Sequence, residues 1–252
     1  MNYLLAEEST KPSLGEIMKE GLMPQGFDIL GVNVSPGVVS AVIVAGFLLL
    51  VALIIRIFFI PRFKMVPGKA QAILEKIVEF FHDMATGNSP HRNGFLGAYA
   101  FSAGVYIFVG TLFELLGIQI VAGGQVITLP AVMSDLNACI AIAGCSFVTI
   151  LAGAFLSNRF YGLGQALIDF SLPISMSFRL FGAMLSGLLV GELIYYVKAL
   201  YFSVALPAIV AVLFTLIDAL VQTYVLTTLT TIFYGEKTEP RIKKIKPKKV
   251  KA

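Results

Sequence analysis

Arg179 is the residue of this 252-residue chain whose type and position most strongly imply chemistry. It lies near the middle of the apolar stretch 164–197. If that stretch crosses a membrane, placing a charge there costs about 2.5–3.5 kcal/mol on the scale from membrane-insertion experiments, which gives the lowest values. Arginine cannot escape that cost by becoming neutral, because its guanidinium stays protonated in proteins. A fixed cation there requires an anionic partner or a water-filled cavity. We therefore interpret Arg179 as a functional residue, with a structural ion pair as the alternative.

The residues around Arg179 are small. At about 3.6 residues per turn, Ser175, Gly182, Ala183 and Ser186 fall on the same side of a helix as the arginine. A face of small residues lets another helix approach closely and leaves room around a guanidinium. We expect this face to meet a partner.

Further ionisable or polar side chains lie in neighbouring apolar sequence. Asp218 and Gln222 are spaced i,i+4 and therefore share one helix face. Glu192 lies about 20 Å beyond Arg179 along a helix axis, so it is expected near the outer surface and not as the arginine's direct partner. Glu114 is ambiguous, because it can line a channel or reach the nearby interface.

The composition places these side chains in a membrane. Apolar residues make up 57% of the chain and charged residues 13%, with a mean hydropathy of +0.85. Soluble domains have about 25% charged residues, and one small core cannot bury so much apolar surface. These figures exclude a soluble enzyme and a disordered chain, and two cysteines exclude a disulfide-built scaffold. The class that remains is an all-α, polytopic membrane protein.

Apolar stretches predict five membrane spans, because about 20 apolar residues cross the hydrocarbon core. The two last stretches are longer than a bilayer requires, so we expect them to be strongly tilted, with a break at Pro173 or Pro207 as the alternative. The predicted units are a first transmembrane helix at 37–59, a transmembrane hairpin at 99–156 (spans 99–121 and 134–156), and two tilted intramembrane helices at 164–234 (stretches 164–197 and 203–234).

The placement of lysine and arginine predicts the orientation. With the C-terminus inside, most cations fall on the cytoplasmic side, including the basic tail 235–252, and only Lys11, Lys19 and Lys198 fall outside. The segment 1–36 then faces outward, and its first 28 residues show no signal-peptide pattern. We expect the tail to contact anionic membrane lipid and do not expect it to bind nucleic acid.

Residues 70–85 have the pattern of an amphipathic helix on the cytoplasmic membrane surface. Apolar side chains such as Ile73, Ile77 and Phe81 share one face, and charged side chains such as Glu75 and Glu79 take the other. The sequence leaves open whether this helix is a surface strut or a docking face for a partner.

No pattern in the sequence predicts bond chemistry. There is no phosphate-binding glycine-rich loop, His82 and His91 fall outside the predicted spans, and the spacing of Cys139 and Cys145 is not that of a metal site. We therefore predict no enzyme activity, no cofactor and no metal. A stand-alone ion-coupled secondary transporter is the alternative from another class, although such proteins usually contain internal repeats.

Three segments resemble the a subunit of the rotary F-type ATP synthase. The segment P-I-S-M-S-F-R-L-F-G at 173–182 resembles the signature around that family's essential arginine. S-D-L-N at 134–137 resembles its Asp-x-Asn motif, and D-A-L-V-Q-T-Y-V-L-T-T-L-T-T-I-F at 218–233 resembles its last helix, with Gln222 at the family's glutamine. The likeness runs from about residue 30 to 235.

The chain also departs from the family pattern. Ala183 replaces the usual asparagine after the arginine, Leu188 stands where some members have a carboxylate, and Thr215 replaces a histidine. The connection around 157–165 looks short. These changes leave the arginine's role intact and leave the relay residues open.

The resemblance implies a non-catalytic stator that carries ions past a rotating ring of c subunits. An outer aqueous half-channel would pass Asp135, Asn137, Glu192, Asp218 and Gln222, and an inner one would open near Asp169 and Ser171. Arg179, with Ser175 one turn before it, would attract the unprotonated ring carboxylate and block direct leakage. The proton is the expected ion, and sodium stays open.

The resemblance also implies partners and a location. The expected partners are the c-subunit ring, b-type peripheral stalk subunits, the remaining ATP synthase subunits and membrane lipid. The expected location is a bacterial inner membrane, with the N-terminus outside and the C-terminus in the cytoplasm.

Overall fold

The computed structural model describes residues 27–29, 32–91, 93–122, 125–201 and 205–240. At some of these positions, chiefly 119–128, 188–201 and 205–208, the description covers the backbone alone. The predicted N-terminal segment 1–36 and basic tail 235–252 therefore lie largely outside the described residues.

The described chain is built from helices joined by short connections, with two small antiparallel hairpins. The hairpins precede the first helix and interrupt the predicted unit 99–156, and the sequence analysis did not predict either. The elements in chain order are β1 (Phe27–Ile29), β2 (Val32–Val34), α1 (Pro36–Ile54), α2 (Lys69–Asn88), α3 (Leu96–Leu112), β3 (Gln119–Ala122), β4 (Gln125–Thr128), α4 (Leu136–Ile168), α5 (Ser171–Tyr201) and α6 (Ala205–Thr238).

Four described helical segments are long and apolar enough to cross a membrane. The first continues from α1 through a π-helical turn at Ile55–Phe59 and a 3-10 turn at Ile60–Arg62. Large apolar side chains such as Val42 and Leu49 are about two-thirds exposed on it, which indicates contact with lipid. The predicted stretch 164–197, which is not among these four segments, corresponds largely to α5, whose second half is described by its backbone alone. The four segments are Pro36–Arg62, Leu96–Leu116, Leu136–Gly162 and Val212–Thr238.

The two prolines considered as break points lie in the first turns of α5 and α6. Pro173 is the third residue of α5 and Pro207 the third residue of α6. Proline is tolerated there, because the first N–H groups of a helix have no intrahelical acceptor. Neither helix therefore breaks at its proline, and their 31 and 34 residues extend about 47 and 51 Å. Their tilt in the membrane stays a prediction.

The backbone irregularity lies in α4 instead. Arg159 has φ 52° and ψ −138°, so α4 consists of two helical parts joined at a kink. The sequence predicts a span that ends at residue 156 and a short connection around 157–165. In the structure these residues are helical apart from the kink, and the turn comes later, at Asp169 and Phe170.

The main core lies where α1, α3, α4, α5 and α6 meet beside the segment that precedes α4. A second, smaller cluster joins α2 to α3, α4 and α6 through Ala85, Leu96, Ile150 and Tyr234. The main core contains Val44, Ile107, Phe113, Leu129, Val132, Met133, Cys139, Ala143, Met176, Leu180 and Leu226.

Candidate functional site

Arg179 lies on the face of α5 that points away from the core. The opposite face is anchored by Met176 and Leu180, which are 3% and 1% exposed. Arg179 itself is exposed, and no acidic side chain within the described residues forms an ion pair with it. Packing of α5 against α4 and α6 thus fixes the helix, while the guanidinium has no ion-pair partner among the residues that the structure describes.

The small residues predicted to surround Arg179 share its exposed face. Ser175, Gly182 and Ser186 are exposed, and Ala183 is half-buried. No heavy atom lies within 4 Å of where a Cβ on Gly182 would stand. Across the described residues, the chain therefore leaves open space at this part of the arginine face.

A second group of polar side chains lies on α6 and at the end of α3. Asp218 is half-buried and accepts a hydrogen bond from the side chain of Gln222, which is 7% exposed. Glu114, in the 3-10 turn Phe113–Leu116 that follows α3, is close enough to Asp218 for the two carboxylates to interact. We call these three residues the carboxylate cluster. From the sequence, Glu114 is recognisable only as an acid at the end of an apolar stretch, and its proximity to Asp218 is not predicted.

The first half of α5 and the middle of α6 present an apolar surface around these groups. Phe178 on α5 is 64% exposed, and the α6 side chains Ile217, Leu220 and Tyr224 are more than half exposed. The two helices approach each other closely at Gly187, where an added Cβ would lie 3.1 Å from the ring of Phe214. An exposed apolar surface that contains a cation implies a partner.

Asp135 occupies a structural position. Its Oδ1 accepts a hydrogen bond from the backbone N–H of Asn137 at 2.8 Å, which caps the start of α4. Its Oδ2 accepts a hydrogen bond from the hydroxyl of Ser35, the N-cap of α1. Because both oxygens are engaged, the geometry favours a role in joining two helix starts. The Asn137 side chain is exposed beside it.

Asp169 forms an ion pair with Lys237. Lys237 was placed in the basic tail 235–252, but α6 continues to Thr238, and the lysine is 5% exposed. It also lies 3.2 Å from Glu236. Ser171, the other residue expected at an inner half-channel, begins α5 and is exposed.

The structure thus divides the predicted site residues into separate groups. Arg179 and Ser175 share one face, Asp218 and Gln222 are bonded to each other, Asp135 caps α4, and Asp169 is paired at the far end of α6. Glu192 lies within α5, but its side chain is outside the described residues. No described group of acidic, histidine or cysteine side chains could hold a metal ion.

Comparison with known proteins places this arrangement in a family. Residues 39–235 match the family described as ATP synthase A chain. One relative, "ATP synthase subunit a, sodium ion specific" from Propionigenium modestum, is 24% identical over 200 residues, which cover 68% of this chain and 64% of that protein. The chain therefore spans less than two thirds of that relative's length. The family match covers most of the chain and includes Arg179, Asp218 and Gln222, so this chain belongs to the ATP synthase A chain family.

Proposed function

We propose that this chain is the stator subunit that loads and unloads ions on the carboxylates of a rotating c-subunit ring. The observation that carries the proposal is Arg179, a permanent cation on an exposed helix face with no acid of the described chain paired to it. Such a charge is tolerable in hydrocarbon only beside an anion or water. A ring carboxylate that arrives, discharges its ion and leaves supplies that anion from another subunit.

The exposed face of α5 and the apolar surface of α6 fit the rotor side of such a stator. A neutral ring carboxylate can move through lipid, whereas a charged one is stabilised near Arg179 by Coulomb attraction in a low dielectric. The cation then separates the two half-channels, because an ion of like charge is repelled from it.

The outer half-channel leads, in this proposal, past the carboxylate cluster. Glu114, Asp218 and Gln222 can pass an ion between neighbouring oxygens toward the arginine face. We retain Glu192 and Asn137 as residues nearer the outer mouth. Asp135 is retained as a support of this region, because its oxygens are engaged by helix starts.

The inner half-channel opens, in this proposal, at the junction of α4 and α5 near Asp169 and Ser171. The ion pair with Lys237 holds the carboxylate of Asp169 in place, and in this proposal that carboxylate forms part of the channel wall. Ser175 lies between this end and Arg179 on the exposed face of α5 and offers a hydroxyl to a passing ion or water.

The remaining features of the proposal follow from the membrane position. The chain is an integral membrane protein, and we propose five spans, an outward N-terminus, a cytoplasmic C-terminus and a bacterial inner membrane. The partners are the c-ring, b-type stalk subunits and the remaining subunits of the synthase. A stand-alone secondary transporter is not favoured, since the family match covers residues 39–235.

We propose the proton as the coupling ion, because the proposed path contains carboxyl groups, which can take up and release a proton. Sodium is the second candidate, favoured by the printed name of the Propionigenium modestum relative. ATP hydrolysis by the purified complex, titrated with sodium at fixed pH, separates them. Stimulation by sodium would assign the sodium ion.

Substitution of Arg179 tests the proposed function. Arg179→Ala in the complete complex should abolish ATP-driven ion pumping into vesicles while the subunit still inserts and assembles. Arg56→Ala, which removes an exposed arginine at the end of the first span, is the matched control and should leave pumping unchanged. Vigorous pumping by the Arg179→Ala complex would refute the proposal.

A further inference from the structure

A cleft of about 390 Å³ lies where the end of the first span meets the start of α2. The ion path proposed above uses none of its residues. Three phenylalanines and three cations line it, together with small and polar groups. We call it the basic cleft; its aromatic residues are Phe58, Phe59 and Phe63, and its cations are Arg62, Lys64 and Lys69.

The charge of the basic cleft is one-sided. None of the described residues that line it is acidic. The nearest acid along α2, Glu75, lies nearly two turns from the start of the helix and accepts a hydrogen bond from the side chain of Gln71 at 2.7 Å. Helix α2 begins at Lys69 with Gly68 as its N-cap and no side-chain capping bond, so the positive end of the helix dipole adds to the cations. The cleft therefore attracts an anion.

The shape of the basic cleft is fixed by hydrogen bonds. The amide of Gln71 accepts from the backbone N–H of Lys64 at 3.2 Å and donates to its carbonyl oxygen at 3.0 Å. These two bonds fasten the connecting segment to the first turn of α2. Because the backbone of Lys64 is bonded to the first turn of α2, the connecting segment holds the three cations around one opening.

The surroundings of the basic cleft are apolar and exposed. Met65 is fully exposed and Val66 is 82% exposed in the same connecting segment. Phe58 is 55% exposed, and it continues the exposed apolar face of α1. A soluble anion would gain nothing from these side chains, whereas a ligand with acyl chains would bury them.

We propose that the basic cleft binds the head group of an anionic phospholipid. Its phosphate would lie among Arg62, Lys64 and Lys69, and its acyl chains would follow the exposed face of α1. Basic pockets between membrane helices on the cytoplasmic side are suited to such head groups. A zwitterionic lipid is disfavoured, because its ammonium group meets the same cations.

Fluorescence of the full chain in vesicles tests the proposal. The chain has no tryptophan, so Val66→Trp places a single reporter beside the cleft without removing a lining residue. In phosphatidylcholine vesicles, brominated phosphatidylglycerol should quench this reporter more strongly than brominated phosphatidylcholine. The double variant Arg62→Gln/Lys69→Gln should lower that selectivity at least about tenfold, since each cation near an anionic lipid contributes about fivefold.

A matched pair controls for general surface charge. Arg56→Gln/Lys76→Gln removes one arginine and one lysine from the same two elements, outside the cleft lining, and should leave the selectivity unchanged within about twofold. An equal loss in this pair, or equal quenching by both lipids in the parent, would overturn the proposal. So would displacement of the lipid by inorganic phosphate. If the double variant Arg62→Gln/Lys69→Gln keeps its lipid selectivity but loses another subunit from the complex, the cleft binds an acidic protein and not a lipid.

Discussion

Asp218 and Glu114 interact across the contact between α6 and the end of α3, so their substitutions should not be independent. We expect Asp218→Ala and Glu114→Gln each to slow ATP-driven pumping several-fold without uncoupling, because either change removes a proton carrier. The double variant should be less impaired than the product of the two single effects, as for residues that act as one unit.

The measurement is the initial rate of vesicle acidification at a fixed ATP concentration, with ATP hydrolysis followed in parallel, because slowing without uncoupling lowers both rates by the same factor. Glu79→Ala provides the control, because Glu79 is an exposed acid on α2 that the ion path does not include. Unchanged rates in both single variants would remove the carboxylate cluster from the relay.

Asp135 offers a case in which a structural role and a relay role predict different results. Asp135→Ala loses the cap of α4 and the bond to Ser35, so we expect a loss of stability of about 1–2 kcal/mol. Pumping per folded complex should stay unchanged. Thermal unfolding and pumping are measured on the same preparation, and Asn137→Ala, which removes the exposed neighbour, is the comparison. A loss of pumping without a loss of stability would restore Asp135 to the ion path.

At the residue scale, the sequence identifies a side chain by the free-energy cost of placing it in an apolar segment. It does not identify the contacts of that side chain. Arg179 stands out because a permanent charge in apolar sequence needs an explanation. The partnership of Glu114 with Asp218 and the pairing of Asp169 with Lys237 could not be predicted, since each joins residues far apart in the chain. Asp135 shows the converse, because its motif suggests chemistry and its geometry shows a cap.

At the element scale, the ring of Phe81 against Gly104 is one of the contacts that hold α2 against α3. Phe81 is 6% exposed, and an added Cβ on Gly104 of α3 would lie 2.6 Å from its ring. Gly104→Ala should therefore force α2 away from α3 and destabilise the protein by about 1–3 kcal/mol. The additional change Phe81→Leu should recover part of that loss by vacating the space.

Thermal unfolding in detergent measures both variants, with Gly46→Ala as the control, since nothing lies within 4 Å of a Cβ at Gly46 in α1. If Gly104→Ala unfolds at the parent temperature, Phe81 does not fix α2. Nearer the start of α2, Ile73 and Ile77 are exposed, and the position of this helix on the membrane surface stays a prediction.

Element bounds followed from the sequence where apolar length and polar flanks both mark them. The amphipathic pattern at 70–85 corresponds to helix α2 at Lys69–Asn88, whereas Pro173 and Pro207, considered as breaks within the long stretches, lie in the first turns of α5 and α6. The kink at Arg159 could not be predicted, because arginine has no special preference for that backbone conformation. The two hairpins were missed because their strands have only three or four residues.

At the scale of the whole molecule, the end of α6 is bonded to two other helices, α2 and α4. The Ser157 hydroxyl of α4 donates to the carbonyl of Thr238 at 2.7 Å, and Asn158 donates to the carbonyls of Lys237 and Glu239 at 3.2 and 3.0 Å. The Asn88 side chain at the end of α2 donates to the hydroxyl of Thr231 at 2.9 Å. These contacts hold α2, α4 and α6 together at one end, while the exposed face of α5 faces away.

The ion pair between Asp169 and Lys237 completes this junction. Variants that remove it distinguish a role of Asp169 in stability from a role in ion transport. Lys237→Met and Asp169→Leu should each destabilise the protein by about 1–3 kcal/mol, because the first leaves Asp169 without its lysine and the second leaves the buried Lys237 with the exposed Glu236. Breaking a fully buried pair costs about 3–5 kcal/mol, but the Asp169 side chain is 37% exposed. The double variant Lys237→Met/Asp169→Leu removes both charges and should recover stability, because apolar replacement of a buried pair is often neutral. Thermal unfolding should therefore rank the double variant above either single one. If Asp169 also receives ions at an inner half-channel, both variants that lack it will pump slowly, whereas Lys237→Met will pump normally once folded. Equal pumping by all three folded variants would limit Asp169 to the junction and move the inner half-channel elsewhere along α5.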